Sequence, residues 1–230
     1  KGPVISVIRS LDLGLILTLM GFASLLVHAS VGEFASEYFA DHPSHGCEAN
    51  PTGDPIGGGE GYSDILTAGD YIVQTAIELS TALQEADPGE VIFIPSDAVI
   101  DLVDHGTLAI PQGITVAGDR GSDGSAGGLI KLGRKSGRMF STAGDHIRLT
   151  GLRFEGGYAG RERVAFSSRF ISIGHYDVEI DNCEVYNFNV AAIGVGSSAM
   201  NVRIHHNSIH HNQKGGLGYG VSLSCSDVYI

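Results

Sequence analysis

The sequence predicts an all-β parallel β-helix, a solenoid in which every coil adds one strand to each of its parallel sheets. The first observation is a repeat, because residues 201–212 align with residues 177–188 at a shift of 24 positions. The second is the step of two between apolar residues within each copy, which is typical of a strand with one buried face. Since the short strands of one copy must meet the equivalent strands of the next, they stack in parallel.

Further copies extend the repeat along the second half of the chain. Successive copies start at Ile147, Val178, Val202 and Val228, which are 31, 24 and 26 residues apart. Periods of this length belong to repeat architectures. A leucine-rich repeat is the main alternative, but the Leu-x-x-Leu-x-Leu spacing is absent. With 33 Gly among 230 residues and 43% hydrophobic residues, the chain turns often and can still bury a core.

The leading residues 1–29 are typical of a secretory signal peptide. Lys1 and Arg9 make its start positive, residues 13–27 form an apolar run, and Val27-His28-Ala29 is a cleavage site of small residues. A membrane anchor is the alternative, but this apolar run is shorter than the roughly 20 residues that a spanning helix needs. We therefore expect a secreted protein, extracellular, periplasmic or at the cell surface, without a membrane span after cleavage.

The charge balance limits the classes of partner. The chain has 14 Lys and Arg against 26 Asp and Glu, a formal net charge of −12. Nucleic-acid binding needs a basic surface, so no nucleic-acid partner is predicted. An acidic polysaccharide would also be repelled unless a cation such as calcium bridged the two.

Residues 30–69 are predicted to form a loop-rich N-terminal segment. Its turn signals are His42-Pro43, Asn50-Pro51 and Asp54-Pro55, followed by three glycines at 57–59. A phosphate-cradling loop at residues 53–61 is the alternative, but it lacks both the Gly-Lys-Ser/Thr ending and a preceding strand. Turn chemistry explains these residues better, so we predict a wrapped entry loop.

One capping helix is predicted at about residues 73–86, at the start of a β-helix domain that covers residues 70–230. Thr75 and Glu78 have the spacing of a capping box. The predicted apolar stripe consists of Ile77, Leu79, Leu83 and Ala86. Such a helix would cover the open apolar end of the solenoid. Short strands are predicted at residues 90–95, 97–102, 107–116 and 128–132.

Three motifs carry a resemblance to a known family. They are Leu79-x-x-Ala82-Leu83 followed by Pro88-Gly-Glu-Val-Ile-Phe-Ile-Pro95, the coil Val202-x-Ile204-x-x-Asn207-x-Ile209-x-x-Asn212, and the run Gly218-Tyr-Gly-Val221. Together they resemble the right-handed parallel β-helix proteins of the pectate-lyase-like superfamily. The resemblance covers residues 70–230 and implies a right-handed coil. Since such a helix needs a cap at both ends, it also implies further C-terminal coils beyond Ile230, so that the domain is truncated.

The resemblance specifies architecture better than activity. Similar proteins include polysaccharide lyases, glycoside hydrolases, epimerases, phage tail proteins and adhesins. The lyases use calcium-binding aspartates and an arginine or lysine base on an outward strand face. No catalytic position is carried over, because no family-specific catalytic motif is present in this sequence.

Stacking in register would place equivalent outward side chains about 4.8 Å apart along the axis. The first outward column is Arg148, Glu179 and Arg203, whose alternating charges indicate a structural salt-bridge ladder. The second column is Thr150, Asp181 and His205. An aspartate beside a histidine could orient the imidazole for proton transfer or share a metal.

Further candidates follow along the same coils. Glu155, Tyr186 and His210 form the next column, and Lys214 follows. Four of the ten histidines lie at 205, 206, 210 and 211. The alternative to a catalytic site is repeat duplication, in which histidine and asparagine occupy tight bends and Asn207 or Asn212 forms hydrogen-bonded ladders.

A basic cluster also stands out in this acidic chain. Its members are Lys131, Arg134, Lys135 and Arg138. The cluster could bind an anionic ligand, or it could be a solvated turn edge. The second interpretation is favoured, because charge runs usually face water.

These observations favour an exported, carbohydrate-active β-helix protein, similar to a polysaccharide lyase or a hydrolase, that binds a polysaccharide or surface glycan along an outer groove. The predicted catalytic residues are Asp181, His205, His210 and Lys214. The predicted substrate-binding residues are Arg203, Tyr186 and Tyr219. Calcium is the predicted cofactor, with Glu179 and Asp181 as its ligands. The alternative function is a non-enzymatic surface adhesin or a structural solenoid.

Overall fold

A computed structural model describes residue 50 and residues 52–230 of the chain. The predicted signal peptide and about half of the predicted N-terminal loop segment lie outside the described residues. Residues 52–230 belong to one compact unit, Pro51–Ile230.

Short strands and one α-helix make up the described chain. In order, the elements are β1 (Tyr71–Ile72), α1 (Ala76–Glu85), β2 (Val91–Phe93), β3 (Val99–Asp101), β4 (Leu108–Ile110), β5 (Thr115–Ala117), a 3-10 turn (Ser122–Gly124), β6 (Leu129–Lys131), β7 (Gly137–Thr142), β8 (Ile147–Thr150), β9 (Arg153–Glu155), β10 (Ser168–Ile173), β11 (Tyr176–Asp181), β12 (Glu184–Tyr186), β13 (Ala191–Val195), β14 (Met200–His205), β15 (Ser208–His210), β16 (Tyr219–Leu223) and β17 (Val228–Tyr229). The predicted run at 107–116 holds two strands, because a bend at Pro111 to Gly113 separates β4 from β5.

These strands form three parallel sheets. Sheet A has the order β1-β2-β5-β8-β11-β14-β17, sheet B has β3-β6-β9-β12-β15, and sheet C has β4-β7-β10-β13-β16. Each coil gives one strand to each sheet, so coil 1 is β2 to β4 and coil 5 is β14 to β16, while β17 begins another. Val178 pairs with Ile147 on one side and Val202 on the other. The predicted all-β parallel β-helix is confirmed, and the topology fits the right-handed class that was expected.

Apolar side chains fill the interior of the coils. Four phenylalanines are fully buried: Phe140 and Phe170 come from sheet C, Phe154 from sheet B and Phe188 from the bend after β12. The rings of Phe154 and Phe170 stack with centroids 4.1 Å apart, and Phe140 meets both rings edge-on at 6.1 Å. Stacked coils thus share one continuous core.

The predicted capping helix is present as α1. Glu78 N donates to Thr75 Oγ1 over 3.2 Å, and Thr75 N donates to the Glu78 carboxylate over 3.0 Å, which completes the capping box. Leu79 and Leu83 are buried as predicted, but Ile77 is 72% exposed. Ile77 was therefore wrongly placed in the apolar stripe. At about 100° per residue it lies on the opposite side of the helix from Leu79.

Several asparagines and histidines lie in the bends between sheets. Asn182 and His206 occupy equivalent bends between sheets A and B, both with φ of 51°. The side chain of Asn207 joins two coils there, since its Oδ1 accepts from Cys183 N at 2.8 Å and its Nδ2 donates to Ile180 O at 2.7 Å. Asn212 repeats this bridge one bend later, to the backbone of Phe188 and Val185. The predicted use of asparagine and histidine at bends is confirmed.

We expect Phe154→Ala to lower the free energy of unfolding by about 3 to 5 kcal/mol, because it leaves a cavity between two buried rings. Urea unfolding measures this change. Ile77→Ala is the matched control and should change stability by less than about 0.5 kcal/mol, because Ile77 faces solvent. Equal effects of the two substitutions would contradict the stacked core described above.

Candidate functional site

Residues 52–69, named the strap here, cross the solenoid from coil 5 back to coil 1. Thr52 Oγ1 lies 3.3 Å from His206 Nε2 on coil 5, and Gly59 N donates to Asn182 Oδ1 on coil 4 over 2.7 Å. Asp64 pairs with Arg148 on coil 3 at 2.8 Å. At Gly58 (φ 65°) an added Cβ would collide with the His206 carbonyl oxygen, so the close approach requires glycine. These residues contain neither a helix nor a strand.

Asp181 lies under the strap, and its carboxylate accepts four hydrogen bonds. Its carboxylate accepts two hydrogen bonds from Arg148, at 2.9 and 2.7 Å, and one from Thr150 Oγ1 at 2.8 Å. The Tyr62 hydroxyl of the strap donates a fourth, also at 2.8 Å. Burial and the neighbouring Asp181 carboxylate raise the pKa of Tyr62, so its proton stays in this bond. These four residues are named the Asp181 clasp.

The sequence placed Asp181 on an open groove beside His205, and this location is wrong. Asp181 and His205 are register partners on β11 and β14, as predicted. Asp181 nevertheless has no exposed surface, because the strap and Arg148 cover it. The ring of His205 bonds instead to Glu179, with Nε2 at 2.9 Å from Oε1. Asp181 therefore has no open path to a substrate and does not orient His205.

Glu179 is the centre of the predicted salt-bridge ladder, which is confirmed. Arg203 donates to both of its carboxylate oxygens, at 3.2 and 3.0 Å, and Arg148 Nε lies 4.0 Å away. The bond to His205 and the bond and charge of Arg203 outweigh partial burial and lower the pKa of Glu179 from 4.5 to about 2. The predicted substrate-binding residue Arg203 is thus engaged within the ladder.

The predicted calcium pair does not fit a calcium site. Both carboxylates already accept hydrogen bonds from arginine side chains, whose positive charge opposes that of a bound cation. In the described part of the chain, no group of three or more His, Cys, Asp and Glu side chains has an arrangement that could hold a metal ion.

The four clustered histidines at 205, 206, 210 and 211 form two equivalent pairs. The Nδ1 atoms are 2.7 Å apart in both His205–His206 and His210–His211. His210 Nε2 lies 3.0 Å from Glu184 Oε1, and its ring stacks on Tyr186 at 5.3 Å with an interplanar angle of 8°. Burial and the neighbouring His205 lower the pKa of His206. The geometry matches repeat duplication, with each pair beside a bend.

Lys214 and Tyr219 lie away from the other predicted site residues. Lys214 is in the bend between sheets B and C, where its Nζ donates to Phe166 O over 2.8 Å. Tyr219 starts β16 in sheet C, is 53% exposed, and its backbone N–H donates to Val190 O at 2.8 Å. The predicted residues therefore fall on three faces: Glu179, Asp181, Arg203 and His205 on sheet A, Tyr186 and His210 on sheet B, and Lys214 and Tyr219 beside sheet C.

A groove along the start of sheet C was not predicted. Its cavity is about 460 Å³ and is lined by Thr107, Gly137, Arg138, Ser167, Ser168, Arg169 and Val190. The groove adjoins Lys214 through Phe166 and Tyr219 through Val190. The sequence held a signal for it, since Arg138 and Arg169 are 31 residues apart, the same shift that relates Ile147 to Val178. We name this surface the sheet C groove.

Replacing Asp181 by Ala is expected to lower the free energy of unfolding by about 3 kcal/mol, because the change leaves partly buried Arg148 and Tyr62 without their partner. Urea unfolding at neutral pH measures the loss. The control is Asp97→Ala in an exposed turn, which should change stability by less than about 0.5 kcal/mol. An unaltered unfolding midpoint for Asp181→Ala would contradict the structural role of the clasp.

Glu179 is expected to make the fold sensitive to acid. Its pKa is lower in the folded chain than the ordinary value of 4.5, so its contribution is complete above pH 4.5 and is lost as the pH falls towards 2. Glu179→Gln should show a smaller loss of stability across this window than the unchanged protein. Urea unfolding at several pH values tests this, with Glu85→Gln on the exposed side of α1 as the control. Parallel pH profiles for the protein and Glu179→Gln would contradict it.

Neither family models, curated proteins nor solved structures give a match to this chain. The strand pairing shows a parallel β-solenoid, and no family match assigns it to the superfamily that the sequence motifs suggested. The ten-residue α1 is too short to cross a bilayer, and no other helix among residues 50 and 52–230 has the length and hydropathy to do so.

Proposed function

We propose that this chain is an exported, carbohydrate-active β-helix protein that binds a glycan along the sheet C groove. The observation that carries the proposal is the set of hydroxyl and guanidinium side chains from neighbouring coils that line a cavity of about 460 Å³. A volume of this size falls within the range of ligand pockets. The groove follows the solenoid axis, so an extended polymer can contact equivalent positions on several coils.

The chemistry of the groove suits a polyhydroxylated ligand. Ser167 supplies a hydroxyl that can donate and accept, and the guanidinium groups of Arg138 and Arg169 supply donors. Tyr219 lies next to the groove with an exposed ring, and an aromatic ring combines an apolar face with a polar tip. This combination supports sugar binding at the sheet C groove rather than at the covered clasp on sheet A.

The reaction class remains the one suggested by the sequence, a polysaccharide lyase or a glycoside hydrolase. Of the four predicted catalytic residues, Lys214 borders the sheet C groove, since Phe166 O accepts from its Nζ and the adjacent Ser167 lines the cavity. An ammonium group held there can interact with a sugar or act in proton transfer. His205 and His210 face other sheets and would not act on a ligand in this groove.

A non-enzymatic adhesin or structural solenoid is the second candidate. One observation favours it: Asp181, the predicted partner of a catalytic histidine, is fully buried and its bonds hold the strap on the coils. Incubating glycans with the protein and analysing for shortened or unsaturated products separates the candidates. Products that disappear in Lys214→Gln support an enzyme, whereas binding without any product supports the adhesin.

Tyr219→Ala is expected to weaken glycan binding about tenfold, because truncating an exposed aromatic side chain at a binding site costs on the order of 1.4 kcal/mol. Isothermal titration calorimetry with a panel of neutral and uronate oligosaccharides measures the affinity.

The matched control for this experiment is Tyr176→Ala, which removes a similarly exposed tyrosine, 49% accessible, from sheet A. The Tyr176→Ala variant should bind the oligosaccharides with the same affinity as the unchanged protein. The proposal is overturned if no oligosaccharide binds, or if the two tyrosine substitutions have the same effect.

A further inference from the structure

Two arginines lie side by side in the sheet C groove. Arg138 on β7 and Arg169 on β10 are register partners, so their backbones are about 4.8 Å apart. Among residues 50 and 52–230, no carboxylate oxygen lies within 4.0 Å of either guanidinium group. The arginines of sheet A differ, because Arg148 and Arg203 each contact carboxylates. The pair is therefore a local concentration of positive charge in an acidic chain.

The backbone of the next coil holds Arg169 in place. Its guanidinium lies over Gly194, where an added Cβ would collide with Nη1, and Nη1 lies 3.5 Å from Ser172 Oγ. Partial burial and the charge of Arg138 lower the pKa of Arg169. Two positive charges this close repel each other. An anion bound between them would be attracted to both guanidinium groups and would relieve this repulsion.

We propose that Arg138 and Arg169 form a binding site for a dianionic phosphate group, either free or carried as a monoester on a larger ligand. The site goes beyond glycan binding, because the pair can hold phosphate without a sugar. Two unit positive charges match the charge of about −1.5 to −2 on a phosphate monoester near pH 7. Each guanidinium presents a planar fork that can bind two phosphate oxygens. The hydroxyl of Ser167 lines the same cavity and can donate to another.

A carboxylate is the competing ligand, and charge argues against it. It carries a single negative charge and its two oxygens are satisfied by one guanidinium fork, which would leave the second arginine uncompensated. A dianionic tetrahedral group presents enough oxygens and charge for both arginines. The expected order of affinity is therefore phosphate monoester and sulfate above acetate.

The test titrates the full chain with glycerol phosphate by isothermal titration calorimetry at constant ionic strength. Arg138→Gln and Arg169→Gln should each weaken binding about tenfold or more, as expected for the loss of a charged hydrogen-bonding partner. Gly194→Ala should also weaken binding, although it removes no charge, because its methyl group displaces the Arg169 guanidinium. The control Lys131→Gln removes a positive charge from sheet B and should change the affinity by less than about twofold, because salt screens distant charges.

A second experiment, at two pH values, distinguishes a change in the charge of the ligand from a change in the protein. Between about pH 7.5 and about pH 5 a phosphate monoester loses most of its second charge, since that group has a pKa near 6. Glycerol phosphate should bind more weakly at the lower pH, whereas sulfate, which stays dianionic, should keep its affinity. The inference is overturned if acetate binds as tightly as glycerol phosphate, or if Lys131→Gln weakens binding as much as Arg169→Gln.

Glycan titrations on the same variants distinguish this inference from the proposed function. Phosphate binding that depends on the arginine pair, without any glycan binding, would overturn the proposed function alone. Glycan binding that depends on Tyr219, without phosphate binding, would overturn the phosphate site alone.

Discussion

Parallel pairing in register, repeated from coil to coil, determines where almost every other side chain of this protein lies. Side chains that point inward form one continuous core, in which the rings of Phe154 and Phe170 stack. Outward positions such as Arg148, Glu179 and Arg203 meet across neighbouring strands. A slip of one residue would exchange these two sets, and the burial of the phenylalanines prevents it. The bends follow from the same constraint, because each must turn the backbone at an equivalent point of every coil.

The Asp181 clasp shows how a buried charge is made tolerable in such a fold. A carboxylate without exposed surface costs several kcal/mol unless its oxygens are paired. Here Arg148 and Thr150 come from the neighbouring coil, and Tyr62 comes from the strap. Further polar contacts from Gly59 and Asp64 hold the strap against coils 4 and 3. The residue types expected for catalysis therefore hold an irregular segment onto a regular solenoid.

The sequence predicted the fold more completely than the site, for a physical reason. Strand periodicity and the shifts between copies are local properties of the chain, and they identified the register of Val178 and Val202 and the charge ladder around Glu179. The position of the strap depends on contacts such as Tyr62 to Asp181, which are 119 residues apart and follow no period. Without the strap, Asp181 would be an outward carboxylate, as the sequence suggested.

Arginine has opposite surroundings on two faces of this solenoid, and the difference indicates where a ligand would bind. On sheet A, Arg148 and Arg203 already neutralise carboxylates, so an incoming anion would have to compete with Asp181 and Glu179. On sheet C, Arg138 and Arg169 have no such partner among the described residues and line an open cavity. The free energy of bringing two like charges together in the folded chain is recovered when an anion binds between them. Two adjacent arginines without a carboxylate partner therefore distinguish the sheet C groove from sheet A, where the arginines are already paired.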